Sequence, residues 1–135
     1  MQPVVQEEIS GCGIASVAAL AGKSYQEAKA AANALGIYAE DTALWSDTRY
    51  VRTLLRHYGI KIRATETPFT SWEALPDKAL LSIKWRNQKE KAFWHWVVFL
   101  RTADDPVVLD PKKALKHHIR TDFGRMKPKW HIAVS

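Results

Sequence analysis

The sequence predicts an α+β protein: a helical half followed by an antiparallel β-sheet. Two observations carry this. Residues 12–58 repeat their apolar side chains at helical spacing, between capping signals and glycine stops, and from residue 60 onward the apolar period changes to two. The segment 102–106, Thr-Ala-Asp-Asp-Pro, is turn-like and joins two strand-like runs as a hairpin would.

Residues 12–21 are apolar on nearly every side (Ile14, Ala15, Val17, Ala18, Ala19, Leu20), the pattern of a helix buried all round, and Gly22 and Lys23 close it. Ser24-Tyr25-Gln26-Glu27 is a capping box, because Ser24 and Glu27 satisfy each other's free amides. The helix it opens carries Ala28, Ala31, Ala32 and Leu35 as its apolar stripe, with Gly36 as a left-handed stop. A third helix is predicted over about Ser46 to Tyr58, with Val51, Leu54, Leu55 and Tyr58 inward, His57 in its last turn and Gly59 as its stop. Strands are predicted at Ile60–Thr65, Ala79–Trp85, Phe93–Arg101, Pro106–Leu109 and Trp130–Val134, with a short helical turn at Ser71–Leu75.

A chain of 135 residues, 47% hydrophobic and 25% charged, suits one domain over residues 1–135 with a substantial core; disorder and fibrous repeats are excluded. It contains no run of about 18 apolar residues, so no membrane span is expected. The apolar stretch 11–22 follows Glu7 and Glu8 with no Lys or Arg, which is wrong for a secretory signal. Ile9-Ser10-Gly11-Cys12 imitates a lipoprotein cleavage box, but its apolar run lies behind the cysteine instead of ahead of it. A cytoplasmic location, or secretion without a signal peptide, is the expectation. A single cysteine forms neither an internal disulfide nor a Cys-rich zinc site, and His117, His118 and His131 lack ligand spacing. No metal or cofactor is expected. The net charge of +6 admits acidic partners, yet Lys112, Lys113, Lys116, Lys127 and Lys129 have no interleaved stacking aromatics, so nucleic acid is not expected.

Four residues suggest chemistry. Cys12 opens the buried helix, where about half a positive charge from the helix dipole favours a thiolate. Gly11 and Gly13 flank it and are expected to leave room for a substrate backbone. His95 sits in the apolar strand Phe93 to Leu100, on one face with Val97 and Phe99, while Trp94, Trp96, Val98 and Leu100 take the other. An imidazole in such a strand needs a polar partner. A hairpin with Leu100 opposite Asp105 sets His95 opposite Asp110, and a longer loop shifts this by only one or two positions. A carboxylate there fixes the ring's tautomer and stabilises its charge. Asp104 and Asp105 belong to the turn. Gln6, six residues before Cys12, supplies a side-chain amide that, with the Cys12 N–H, is expected to stabilise an oxyanion. Trp45 and Trp130 are candidates for lining a cleft.

Gln6, Cys12, Gly13, Ala15 and Ser16, as Q-x5-C-G-x-A-S opening a buried helix, resemble the nucleophile motif of the bacterial double-glycine leader peptidases (peptidase C39-like). These are papain-like domains that process bacteriocin precursors. His95-Trp96-Val97-Val98, then Val107-Val108-Leu109-Asp110-Pro111, are similar to that family's His and Asp-Pro blocks, and Thr121-Asp122-Phe123 with Trp130 to Val134 fits its closing segment. The resemblance spans essentially the whole chain. It implies a papain-like fold and a cysteine peptidase acting on a peptide or protein substrate, with Cys12 as nucleophile, His95 as base, Asp110 orienting it and Gln6 at the oxyanion. Two departures stand out: Gly11 occupies a position that is usually acidic, and typical members are fused to an ABC transporter. A silent peptide-binding domain, and the same triad used as an amidase, deamidase or acyltransferase, are the alternatives.

Overall fold

The computed structural model describes residues 1–103 and 105–135. Among these, three α-helices, α1 (Cys12–Ala21), α2 (Tyr25–Ala34) and α3 (Arg49–His57), precede six strands: β1 (Thr67–Pro68), β2 (Lys78–Gln88), β3 (Lys91–Leu100), β4 (Val107–Leu109), β5 (Ile119–Arg120) and β6 (Pro128–Ala133). The strands form one antiparallel sheet in the order β1-β6-β2-β3-β4-β5. The α+β arrangement is as the sequence predicts.

The helices form where local signals place them. Both halves of the Ser24–Glu27 capping box are made, an arrangement that contributes about 1 kcal/mol. Gly22, Gly36 and Gly59 all take left-handed φ values, of 68°, 80° and 71°. The predicted third helix starts at Arg49 instead of about Ser46: Thr42–Ser46 is a separate 3-10 turn capped by Asp41, and Asp47 Oδ1 accepts from the Arg49 amide where α3 starts. The two short side-chain acceptors set a separate turn ahead of the predicted element and the later start of α3. Leu35, expected in the buried stripe of α2, is the C-cap and stands exposed.

Three strand assignments change: Ile60–Thr65 is lost, and Thr67–Pro68 and Ile119–Arg120 are gained. Ile60–Thr65 is not a strand: Lys61 exchanges backbone hydrogen bonds with Ser135, Ile62 bridges Val134, and the chain then bends. Only Ile60 and Ile62 alternate inward there; the charged and threonine residues that follow have no apolar face to bury. The edge strand β1 begins later and ends at Pro68, which has no N–H to extend the ladder. Ser71–Leu75 is a single turn, in which Ser71 Oγ accepts from the Ala74 amide.

β2 and β3 are joined by Lys89 and Glu90, both at positive φ (52° and 63°), between the paired Gln88 and Lys91. The connection has the geometry of a primed two-residue turn, built without the usual glycine or asparagine. A bulge interrupts β2 between Ile83 and Arg86, with Lys84 at φ 53°.

The sheet separates two apolar layers. On one side, α1, α2 and α3 pack with Leu80, Trp94, Trp96, Ile132 and Val134. On the other, Leu81, Ile83, Val97, Phe99 and Val108 are covered by Phe69, Trp72, Phe123 and Met126 from the connecting segments. Val97 and Phe99 thus face away from Trp94 and Trp96, as strand alternation requires.

Candidate active site

α1 reaches β3 at an edge of the sheet. β4 pairs with β3 only from Val98 to Leu100, which leaves the backbone of β3 open before Val98. The start of α1 covers that opening. The Trp96 amide donates to Cys12 Sγ at 3.5 Å, and Ser16 Oγ, one helical turn on, donates to the Trp96 carbonyl at 3.3 Å. A buried N–H and C=O that would otherwise be orphaned are satisfied by Cys12 and its i+4 neighbour. The sulfur therefore lies beside the strand, not over either of its faces. Cys12 is 2% exposed.

Gly11 and Gly13 do flank the sulfur, but the room they leave is filled from within the protein. A Cβ on Gly13 would overlap the Tyr50 hydroxyl and ring, and one on Gly11 would overlap the Tyr25 hydroxyl. The expectation that these glycines admit a substrate backbone is corrected: they admit two tyrosines that pack the ends of α2 and α3 against the start of α1. Tyr25 also donates to Glu8 Oε1 at 2.6 Å, and Lys29 pairs with the same carboxylate at 2.8 Å. The approach to Cys12 is anchored by these bonds.

His95 Nε2 lies 2.7 Å from Asp110 Oδ1. The register differs from the expected one by two residues: Leu100 faces Val107, not Asp105, so Asp110 falls just beyond the end of β4. His95 and Asp110 are consequently diagonal neighbours, a separation that long side chains span. Asp104 lies outside the described residues, and Asp105 is exposed.

Asp110 is 1% exposed and fully engaged. Oδ1 accepts from the Lys112 amide at 3.0 Å as well as from His95, and Oδ2 accepts from Arg120 Nη1 at 2.7 Å. Asp122 in turn holds the Arg120 guanidinium through two bonds, at 2.9 and 2.7 Å. His118 donates from Nδ1 to the Asp110 carbonyl, and its own carbonyl accepts from the Asp110 amide. Burial alone would raise the Asp110 pKa, but His95, the Lys112 amide and Arg120 bring it down to about 2. Burial likewise opposes charge on His95. The hydrogen bonds to Asp110 and Cys12, with the electrostatic pull of each group, prevail and raise its pKa to about 9. With Nε2 committed to Asp110, the hydrogen bond to Cys12 falls to Nδ1.

Gln6 joins Cys12, His95 and Asp110 in the lining of one pocket of about 300 Å³, together with Ile9, Trp45 and Trp94. The Gln6 amide nitrogen donates to the carbonyls of Glu8 and Ile9 at 2.9 and 3.0 Å, committing both of its N–H groups to the turn that delivers Cys12. Trp45 reaches the pocket as expected, whereas Trp130 packs edge-on against Trp94, 5.2 Å between centroids.

The four sequence-predicted residues are thus brought together, and others join them that sequence reasoning passed over. Arg120 and His118 support Asp110, and Lys84, Arg86 and Lys112 also line the pocket. Arg120 and Asp122 are two apart in an extended stretch, a spacing that places them on one side, and that pairing was the available signal for Arg120. Comparison of the chain with family models, with curated proteins and with solved structures gives no match.

Proposed function

We propose that this chain is a papain-like cysteine hydrolase that cleaves a peptide or related amide bond through an acyl-enzyme. The observation that carries the reading is the meeting of Cys12, His95 and Asp110 in one open pocket, although they come from the start of a helix, the middle of a strand and a strand end more than 80 residues along the chain. The order Cys–His–Asp, with the thiol on a helix and the imidazole on an antiparallel sheet, supports the papain-like fold.

In this reading the Cys12 sulfur attacks the substrate carbonyl carbon, and a C–S bond forms as the carbonyl oxygen becomes an oxyanion. His95 passes the proton on Nδ1 to the leaving amine, the C–N bond breaks and a thioester remains. Water then attacks the thioester, His95 accepts its proton, and the acid product leaves with the thiolate restored. Asp110 keeps the ring in the tautomer and orientation these steps need, as the third member of a triad does. The backbone N–H of Cys12, in the first turn of α1, is one oxyanion donor. Gln6 is the second. A developing oxyanion makes a charge-assisted bond about twice as strong as a neutral one, so it displaces one of the two carbonyls that Gln6 holds.

The test is trapping of the acyl-enzyme by mass spectrometry after incubation with a peptide library. The intact protein is expected to gain the mass of a peptide fragment on Cys12, and Cys12→Ala to gain none. Gln6→Ala is expected to slow turnover by about 10²–10³-fold. If a peptide binds wild type and Cys12→Ala alike and is never cleaved, the pocket belongs to a binding domain and the hydrolase reading fails.

A further inference from the structure

The pocket around Cys12 is cationic. Lys84 and Arg86 stand on it from β2, and Lys112 stands on it from the segment after β4, so the two groups flank His95 on β3. All three side chains are exposed, and none makes an ion pair among the described residues. The carboxylate that lines the pocket, Asp110, is buried and already answered by Arg120 and His95. The remaining charge at the mouth is positive and unanswered.

Two features distinguish this from an ordinary solvated face. Lys84 holds φ at 53° in the bulge of β2, a conformation costly for a residue with a Cβ, and its amide is fixed by the carbonyls of Met126 and Lys127. The bulge re-aims this side chain at the sheet position next to His95. Arg86 is held with its guanidinium over the Phe93 ring, 5.6 Å from the centroid, which limits its freedom at the pocket wall. Beside these cations the wall is apolar: Trp45 lines it, and Ile9 is 77% exposed there.

We propose that the substrate presents a carboxylate beside the bond that is cleaved, received by Lys84 and Arg86 on one side of the pocket or by Lys112 on the other. This rests on the thiol-hydrolase reading and narrows its substrate class to acidic peptides or peptides cleaved near a free C-terminus. A field of one sign over a cleft with low-dielectric walls concentrates such a ligand, by about tenfold or more.

The experiment separates the charge claim from the enzyme claim. Cys12 is alkylated in parallel by iodoacetate and by iodoacetamide, reagents of similar size that differ in charge. In both reactions the sulfur displaces iodide and a C–S bond forms. The rate ratio of the anionic to the neutral reagent is expected to exceed that of free cysteine, to fall about tenfold in Lys84→Gln/Arg86→Gln/Lys112→Gln, and to fall with added salt. Lys61→Gln, at the opposite end of the sheet beside Ser135, is expected to leave the ratio alone. A ratio the triple variant does not change overturns the proposal, even where Cys12 is fast and turnover is seen. A Cys12 no more reactive than free cysteine at about pH 6 overturns the hydrolase reading instead. In the peptide library, cleaved members are expected to be rich in Asp or Glu near the new terminus. If amidation of the C-terminus abolishes cleavage, the carboxylate is the terminal one; cleavage indifferent to both sinks the proposal.

Discussion

His95 lies between Asp110 and Cys12, and the pKa shifts of the His95–Asp110 pair have opposite signs. The imidazole value is raised from 6.5 to about 9, so the stability it contributes is fully present below 6.5 and is lost as the pH climbs through about 9. The Asp110 value is lowered from 3.8 to about 2, so its contribution is fully present above 3.8 and is lost as the pH falls through about 2. The two windows overlap between pH 3.8 and 6.5. Urea unfolding of wild type and Asp110→Asn across a pH series is therefore expected to give its largest stability gap in that window. The gap should narrow on either side of it, and one that ignored pH would mean that the pair does not carry the charges assigned to it. Arg120 keeps Asp122 as a partner in the variant, so its charge is not stranded. Much of this was legible from residue types alone. His95 and Asp110 are the kinds of side chain that apolar surroundings do not tolerate without partners, and Cys12 was marked by its place at the start of a buried helix. Arg120 was marked only by its spacing to Asp122, since otherwise a charged residue in a two-residue strand looks like any other surface arginine.

At the scale of the element, the start of α1 is set by contacts on three sides. Trp96 fixes Cys12 and Ser16, Tyr25 fills the space over Gly11, and Tyr50 fills the space over Gly13. The Gly13→Ala methyl would have to displace a ring that is buried on all sides, an overpacking that costs about 1–3 kcal/mol. A lowered melting temperature with slower Cys12 alkylation is expected, because the ring cannot move without shifting the turn that holds the sulfur. An alanine variant as stable as wild type would show that Tyr50 yields easily. The pattern C-G was visible in the sequence, but the reason for its glycine was not: a glycine beside a cysteine is equally compatible with a passing substrate and with a packed tyrosine. The same holds for Lys84, whose positive φ is imposed by the bulge and has no local sequence mark.

The whole molecule is a sheet with an apolar layer on each side, and β2 and β3 contribute to both. Leu80 faces the helices and Phe99 the opposite layer, and both are fully buried. Truncating either to alanine leaves a cavity costing about 2–5 kcal/mol. Because the two layers share the same strands, each variant is expected to unfold in a single transition, with far-UV and near-UV dichroism melting together. Two separated transitions in the Phe99→Ala variant would show that the layers hold independently. Among the described residues no helix is long and apolar enough to cross a membrane.

By itself the sequence determined the three helices in outline, the switch to strands, and which four side chains would need one another, because capping, glycine stops, periodicity and polar groups in apolar runs are local properties. The tertiary structure decided the rest. It set the strand register two residues from the simplest hairpin, reduced Ile60–Thr65 to a single bridge, and gave the space beside Cys12 to two tyrosines. It also gathered Lys84, Arg86 and Lys112 around one pocket. Each of these depends on what approaches from a distant part of the chain, and side-chain spacing carries no record of that.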